Sequence, residues 1–89
     1  MSVELPASDI GARVIGVIAK SQHIPVESIS IDSTFEELKI DSLDGINLVF
    51  ALEGEFDVVI PDEGAQNLRT VRETVEGIEK LVREKAAAV

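Results

Sequence analysis

Apolar residues return at three- and four-residue steps in three separate stretches of this 89-residue chain, with no sustained strand-like alternation. Positions three and four apart share one face of an α-helix, whereas a strand needs a period of two. The first stretch opens near Ser8-Asp9 and runs to about residue 21, with Ile10, Val14, Val17 and Ile18 facing inward. Pro6 just upstream suits a helix entry, and Asp9 stands four before Arg13 as a favourable pair. The second stretch follows Asp41-Ser42 with Leu43, Ile46, Val49, Phe50, Leu52 and Phe56, over about residues 42–55, and stops around Asp57. The third has the clearest start: Thr70-Val71-Arg72-Glu73 is a capping box, in which each side chain satisfies a free N–H. Val71, Val75, Ile78 and Val82 continue it, Glu76 with Lys80 and Glu79 with Arg83 are spaced as ion pairs, and Lys80, Arg83 and Lys85 suit a C-terminal turn.

Between the first two helices, residues 22–40 break the pattern. Pro25 ends any helix, and Ser28, Ser30, Asp32, Ser33 and Thr34 are loop formers. Ile24, Val26, Ile29, Ile31, Phe35 and Leu38 are interleaved among them, so the loop is expected to be ordered and packed on the bundle, with one helical turn at residues 34–38. Val58-Val59-Ile60 has no partner strand, and Pro61 opens a short helix over about residues 62–67. The expectation is all-α: a small four-helix bundle with three longer helices, one short helix and a long ordered loop between the first two. Residues 1–89 are read as a single domain, with a core at about 8–83 and a frayed tail at 86–89.

Five of the six glycines, Gly11, Gly16, Gly45, Gly54 and Gly77, fall inside these helices. Each costs roughly 1 kcal/mol relative to alanine. The clustering suggests a bundle kept loose enough to open.

Seventeen acidic residues oppose eight basic ones, a formal net charge of −9. Such a field repels nucleic acid and attracts proteins with basic docking patches. The chain has no cysteine, which excludes disulfides and thiolate metal sites and fits a reducing compartment. No apolar block behind a basic segment marks a signal peptide, and no apolar run is long enough to span a bilayer. The expectation is a cytoplasmic monomer.

Ser42 is the one residue whose context suggests covalent chemistry. It follows a capping aspartate, Asp41, and opens a helix whose positive end favours an anion. Asp44 stays in the same turn. No histidine lies nearby in sequence to activate it, so Ser42 reads as an attachment point and no catalytic residue is assigned. His23, the sole histidine, lacks a nucleophile and an orienting acid around it. No metal site is assigned either. A calcium-loop frame with Gly45 as its turn glycine would run from Ile40 to Ala51, which cannot ligate.

In register, Asp41-Ser42-Leu43-Asp44, Leu48-Val49, Ala51-Leu52-Glu53, Glu55-Phe56-Asp57 and Ile60-Pro61-Asp62-Glu63 resemble the acyl carrier protein family. Ile18, Val26-Glu27-Ser28-Ile29, Ser33-Thr34-Phe35, Leu38 and Thr70-Val71 extend the likeness over roughly residues 8–83. The resemblance implies a discrete, bacterial type II-like carrier that is not itself an enzyme. It implies that Ser42 bears 4′-phosphopantetheine, installed from coenzyme A with magnesium by a phosphopantetheinyl transferase, and that acyl groups ride on the arm as thioesters. It also implies acyl transferases and ketoacyl synthases of fatty acid biosynthesis as clients. Asp41, Asp44, Glu53 and Glu55 are then acidic docking contacts, and Leu43 and Val49 apolar ones. The chain departs from the family pattern at Lys39 and Ile40, where glycine and a small residue are usual. Asn47, Gly54, Val59 and Gln66 stand where fatty-acid carriers commonly have acids. These departures favour a specialised carrier for polyketide, modified-lipid or aminoacyl synthesis as the alternative; a non-covalent helical adaptor is a further one.

Overall fold

The computed structural model describes residues 6–87, with side chains from residue 10 to residue 86. Four α-helices form it: α1 Pro6–Gln22, α2 Ser42–Phe56, α3 Asp62–Gln66 and α4 Val71–Ala87. This is the expected order of three long helices and one short one. The side chain of Asp9, in its expected pair with Arg13, and residues 88–89 of the expected tail lie outside what is described.

α1 packs against both α2 and α4. It contributes Ile10, Val14, Ile18 and Ala19 to the core; α2 contributes Leu48, Leu52 and Phe56, and α4 contributes Val71, Val75 and Ile78. Steps of three and four put each set on one stripe, and burying the stripes against one another is what holds such short helices together. Ile29 from the loop and Ile60 from the α2–α3 connection close the core. Thr74 is also buried, and its hydroxyl donates to the Thr70 carbonyl at 3.0 Å, so no polar atom is orphaned there.

The apolar run of α2 divides differently from its spacing. Leu52 and Phe56 are buried and Val49 is half-buried, while Leu48 takes the remaining core position. Leu43, Ile46 and Phe50 stay exposed, at 72%, 52% and 65%.

Residues 23–41 are ordered by local bonds. His23 leaves α1 in the left-handed region, with φ 59°. The Ile24 N–H then donates to the Ala19 carbonyl at 3.0 Å. A 3₁₀ turn follows at Val26–Ser28. Ile24, Ile31, Phe35 and Leu38 pack against the core, whereas Val26 is exposed. Residues 34–38 form hydrogen-bonded turns instead of a regular helix, and Thr34 and Glu37 satisfy each other's N–H at 2.9 and 3.0 Å. Two backbone bonds tie this segment to the start of α4, Phe35 N–H to the Arg69 carbonyl at 2.8 Å and Val71 N–H to the Ser33 carbonyl at 3.0 Å.

The capping box closes as spelled, with Thr70 N–H on Glu73 Oε1 and Glu73 N–H on Thr70 Oγ1, both at 3.1 Å. The two ion pairs expected along α4 do not close. Among the described residues the ion pairs join different parts of the chain: Arg13–Glu55, Arg72–Asp32 and Lys85–Asp57.

Candidate functional site

Asp41 precedes α2 in extended backbone, with φ −88° and ψ −171°. Its Oδ1 accepts the Asp44 N–H at 2.9 Å, and its carbonyl accepts the Gly45 N–H at 2.8 Å. The cap therefore fixes where α2 begins, and Ser42 is its first residue, exposed to solvent. A substituent on the Ser42 hydroxyl meets no core packing there. If that substituent is anionic, the helix dipole and the first-turn N–H groups left over by the cap favour it.

Beside Ser42 opens a groove of about 770 Å³ between α2, α3 and residues 34–40. Ser42 belongs to its lining, and Phe35, Leu48, Leu52, Ala65 and Leu68 make an apolar wall. A smaller cavity of about 270 Å³ lies between α3 and α4, lined by Ile60, Ile78 and Leu81 among others. Leu68 lines both. α3 itself has no buried residue.

The residues expected to surround Ser42 separate into two groups. Asp41, Leu43 and Asp44 sit with it on the first turn, and Leu43 is 72% exposed. Val49 lines the groove one turn further on. Glu53 and Glu55 lie toward the other end of α2 and are engaged within the molecule. Glu53 Oε2 accepts the Ile60 N–H at 2.8 Å. Arg13 donates to Glu55 Oε2 from Nε at 3.1 Å and from Nη2 at 3.0 Å, and to the Glu55 carbonyl at 3.0 Å. The same guanidinium lies 4.5 Å from the centre of the Phe56 ring.

Most groove residues, Ile46, Phe50 and Arg69 among them, are not marked by the sequence as part of a site. Ile46 and Phe50 follow Leu43 at helical spacing, which was the signal available for them. Arg69 comes from the turn before α4, and nothing in its local spacing marks it. His23 stays at the end of α1, exposed and outside the groove lining.

A lone exposed hydroxyl at a helix start, opening on an apolar groove, is suited to carrying a group. The donor set fits 4′-phosphopantetheine: a serine for the ester, a helix N-terminus for the phosphate and a groove for an attached chain.

Residues 12–78 match the family described as "Phosphopantetheine attachment site". The chain is 36% identical over 72 residues to the mitochondrial acyl carrier protein of Dictyostelium discoideum, a match covering 81% of this chain and 60% of that protein. The crystal structure of an acyl carrier protein from Thermotoga maritima superposes with a TM-score of 0.79 at 26% identity, covering 93% of this chain and 98% of that one.

Proposed function

The chain belongs to the phosphopantetheine-attachment-site family as an acyl carrier protein, and on that premise we propose that Ser42 is the residue joined to the arm. Its cofactor is 4′-phosphopantetheine, which when bound supplies a thiol that holds acyl groups as thioesters. Acyl carrier proteins are carriers and not enzymes. The observation that carries the assignment of Ser42 is its exposed position as the first residue of α2, directly behind the Asp41 cap and on the lining of the groove.

In this reading Asp41 holds the first turn so that the hydroxyl is presented in one place, and the apolar wall gives an acyl chain somewhere to leave water. The arm comes from coenzyme A through a phosphopantetheinyl transferase. Asp41, Asp44, Glu53 and Glu55 contact basic patches on that enzyme and on acyl transferases and ketoacyl synthases, with Leu43 and Val49 as apolar contacts. The acyl groups serve fatty acid biosynthesis, in the cytoplasm, with the carrier as a monomer. The cysteine-free chain supports a reducing compartment. Among the described residues no helix is long and apolar enough to cross a membrane.

A second reading, a specialised carrier for other acyl or aminoacyl products, is favoured by the composition of the docking face. Asn47, Gly54, Val59 and Gln66 are exposed and uncharged, and Glu53 and Glu55 already hold internal partners.

Intact-mass analysis after incubation with coenzyme A and a broad-specificity transferase tests the attachment. One phosphopantetheine is expected on the protein and none on Ser42→Ala. No addition with a transferase shown to be active on another carrier would refute it. Acceptance of the loaded protein by malonyl transfer and ketoacyl synthesis enzymes separates the two pathways.

A further inference from the structure

We propose that Arg69 recognises acyl cargo ending in a second acid group, by pairing with that carboxylate inside the groove beside Ser42. The inference rests on the carrier reading and names a substrate class for it.

Among the described residues Arg69 is the only cation on the groove lining, which also carries the carboxylates of Glu36, Asp41 and Asp62. None of these acids forms an ion pair with it, and the ion pairs among the described residues all use other cations. Its charge is thus left uncommitted by the fold. Its backbone, by contrast, is fixed: the N–H donates to Glu73 Oε1 at 2.8 Å and the carbonyl accepts from Phe35 N–H at 2.8 Å. That second bond joins Arg69 to the segment leading into Asp41 and Ser42. The guanidinium therefore extends from an anchored point on the frame that holds the attachment site.

The chemistry selects the ligand. A neutral aliphatic chain needs only the wall of Phe35, Leu48, Leu52, Ala65 and Leu68. It gains nothing from a cation. A chain with a terminal carboxylate meets a protein of net charge −9 and three carboxylates around the groove, so it is repelled unless a cation receives it. The planar, always-charged guanidinium binds carboxylates through two parallel N–H donors. The methylenes of such a cargo lie along the apolar wall while its end pairs with Arg69. Because the cargo is tethered, the contact is intramolecular, and a weak solvent-exposed pair is enough to bias its position. The expected bias is about one-and-a-half- to fivefold, the range of exposed Arg–carboxylate pairs.

The test loads Ser42 with amide-linked pantetheine analogues of equal length, one ending in a carboxylate and one in a carboxamide. Loading is verified by intact mass, and groove occupancy is read from the backbone amide shifts of Ala65 and Leu68. The carboxylate chain is expected to occupy the groove more by the stated factor and to shift the Arg69 Nε–H resonance. Arg69→Gln is expected to equalise the two chains, and Arg69→Lys to restore part of the preference. Equal occupancy in the unmodified sequence, or a preference surviving Arg69→Gln, overturns the inference. So does an Arg69 shift already complete with the bare arm, since the guanidinium would then sit on the phosphodiester. Failure of loading itself overturns the carrier reading together with this inference; loading without preference overturns this inference alone.

Discussion

Lys39 holds φ at 61°, in the left-handed region, three residues before Ser42. A side chain there brings Cβ against the following carbonyl, at a cost of roughly 1–2 kcal/mol. The family resemblance points to glycine as the usual residue at this place, and the backbone supplies the reason. Lys39 N–H still donates to the Glu36 carbonyl at 3.0 Å, and Ile40 N–H to the Phe35 carbonyl at 2.9 Å, so the turn forms in spite of the strain. Lys39→Gly is expected to raise stability by about 1 kcal/mol, the relief of strain being partly offset by a more flexible unfolded chain. A higher urea midpoint at unchanged slope is the measurement; an unchanged or lower midpoint would show that the turn accommodates lysine freely.

Elements show which parts of the fold can be read from neighbouring letters. The capping box at Thr70 and Glu73 was legible because both partners lie three residues apart and need no tertiary information. The buried stripe of α2 was not legible in the same way. Leu43, Ile46, Leu48, Val49, Phe50 and Leu52 are apolar nearly all round the helix, so spacing alone allows several faces, and packing against α1 selects Leu48, Leu52 and Phe56. The place of Ser42 as the first residue of α2 is readable from the Asp41 cap, whereas the engagement of Glu55 by Arg13 joins residues 42 apart and no local pattern encodes it. The glycines belong to this scale as well. An added Cβ at Gly16 or Gly77 meets nothing within 4 Å, so neither helix needs glycine for space. Gly16→Ala and Gly77→Ala should each stabilise the protein by up to about 1 kcal/mol and slow amide exchange in α1 and α4. If stability and exchange both stay the same, glycine is not what keeps these helices loose.

Charge acts on the whole molecule. With a net charge of −9 and ion pairs exposed on its surface, the protein depends on burial for its stability far more than on attraction between side chains. One pair nevertheless has a readable pH signature. The Lys85 ammonium donates to the Asp57 carboxylate at 2.7 Å, and this hydrogen bond, with the lysine's charge, lowers the Asp57 pKa from its ordinary 3.8. A lowered carboxylate pKa means that the unfolded chain takes up the proton first. The contribution is therefore present above the ordinary value and lost as pH falls through the lowered one. Asp57→Asn is the suitable probe, since asparagine tolerates the left-handed φ of 55° at this helix end and keeps the backbone carbonyl that Lys85 also contacts. Thermal melts should show the native sequence more stable than the variant at neutral pH, with the gap closing below about pH 4. A gap independent of pH would assign the effect to something other than the ion pair.

α3 has five residues, none buried, and an open space on either side of it. A helix of that length does not persist on its own. Apart from the half-buried Ala65 it is held at its margins, by Ile60 N–H on Glu53 and by the pairing of Arg69 with Phe35, and it supplies no buried residue to the core of α1, α2 and α4. Opening this segment locally costs much less than unfolding the protein, so the molecule has two thresholds where a melting curve records one. Amides of residues 62–66 should exchange through the lower threshold, well ahead of those flanking Val14 and Leu52. A denaturation midpoint is consequently silent about the α3 wall of the groove beside Ser42, and only residue-resolved exchange reports on it.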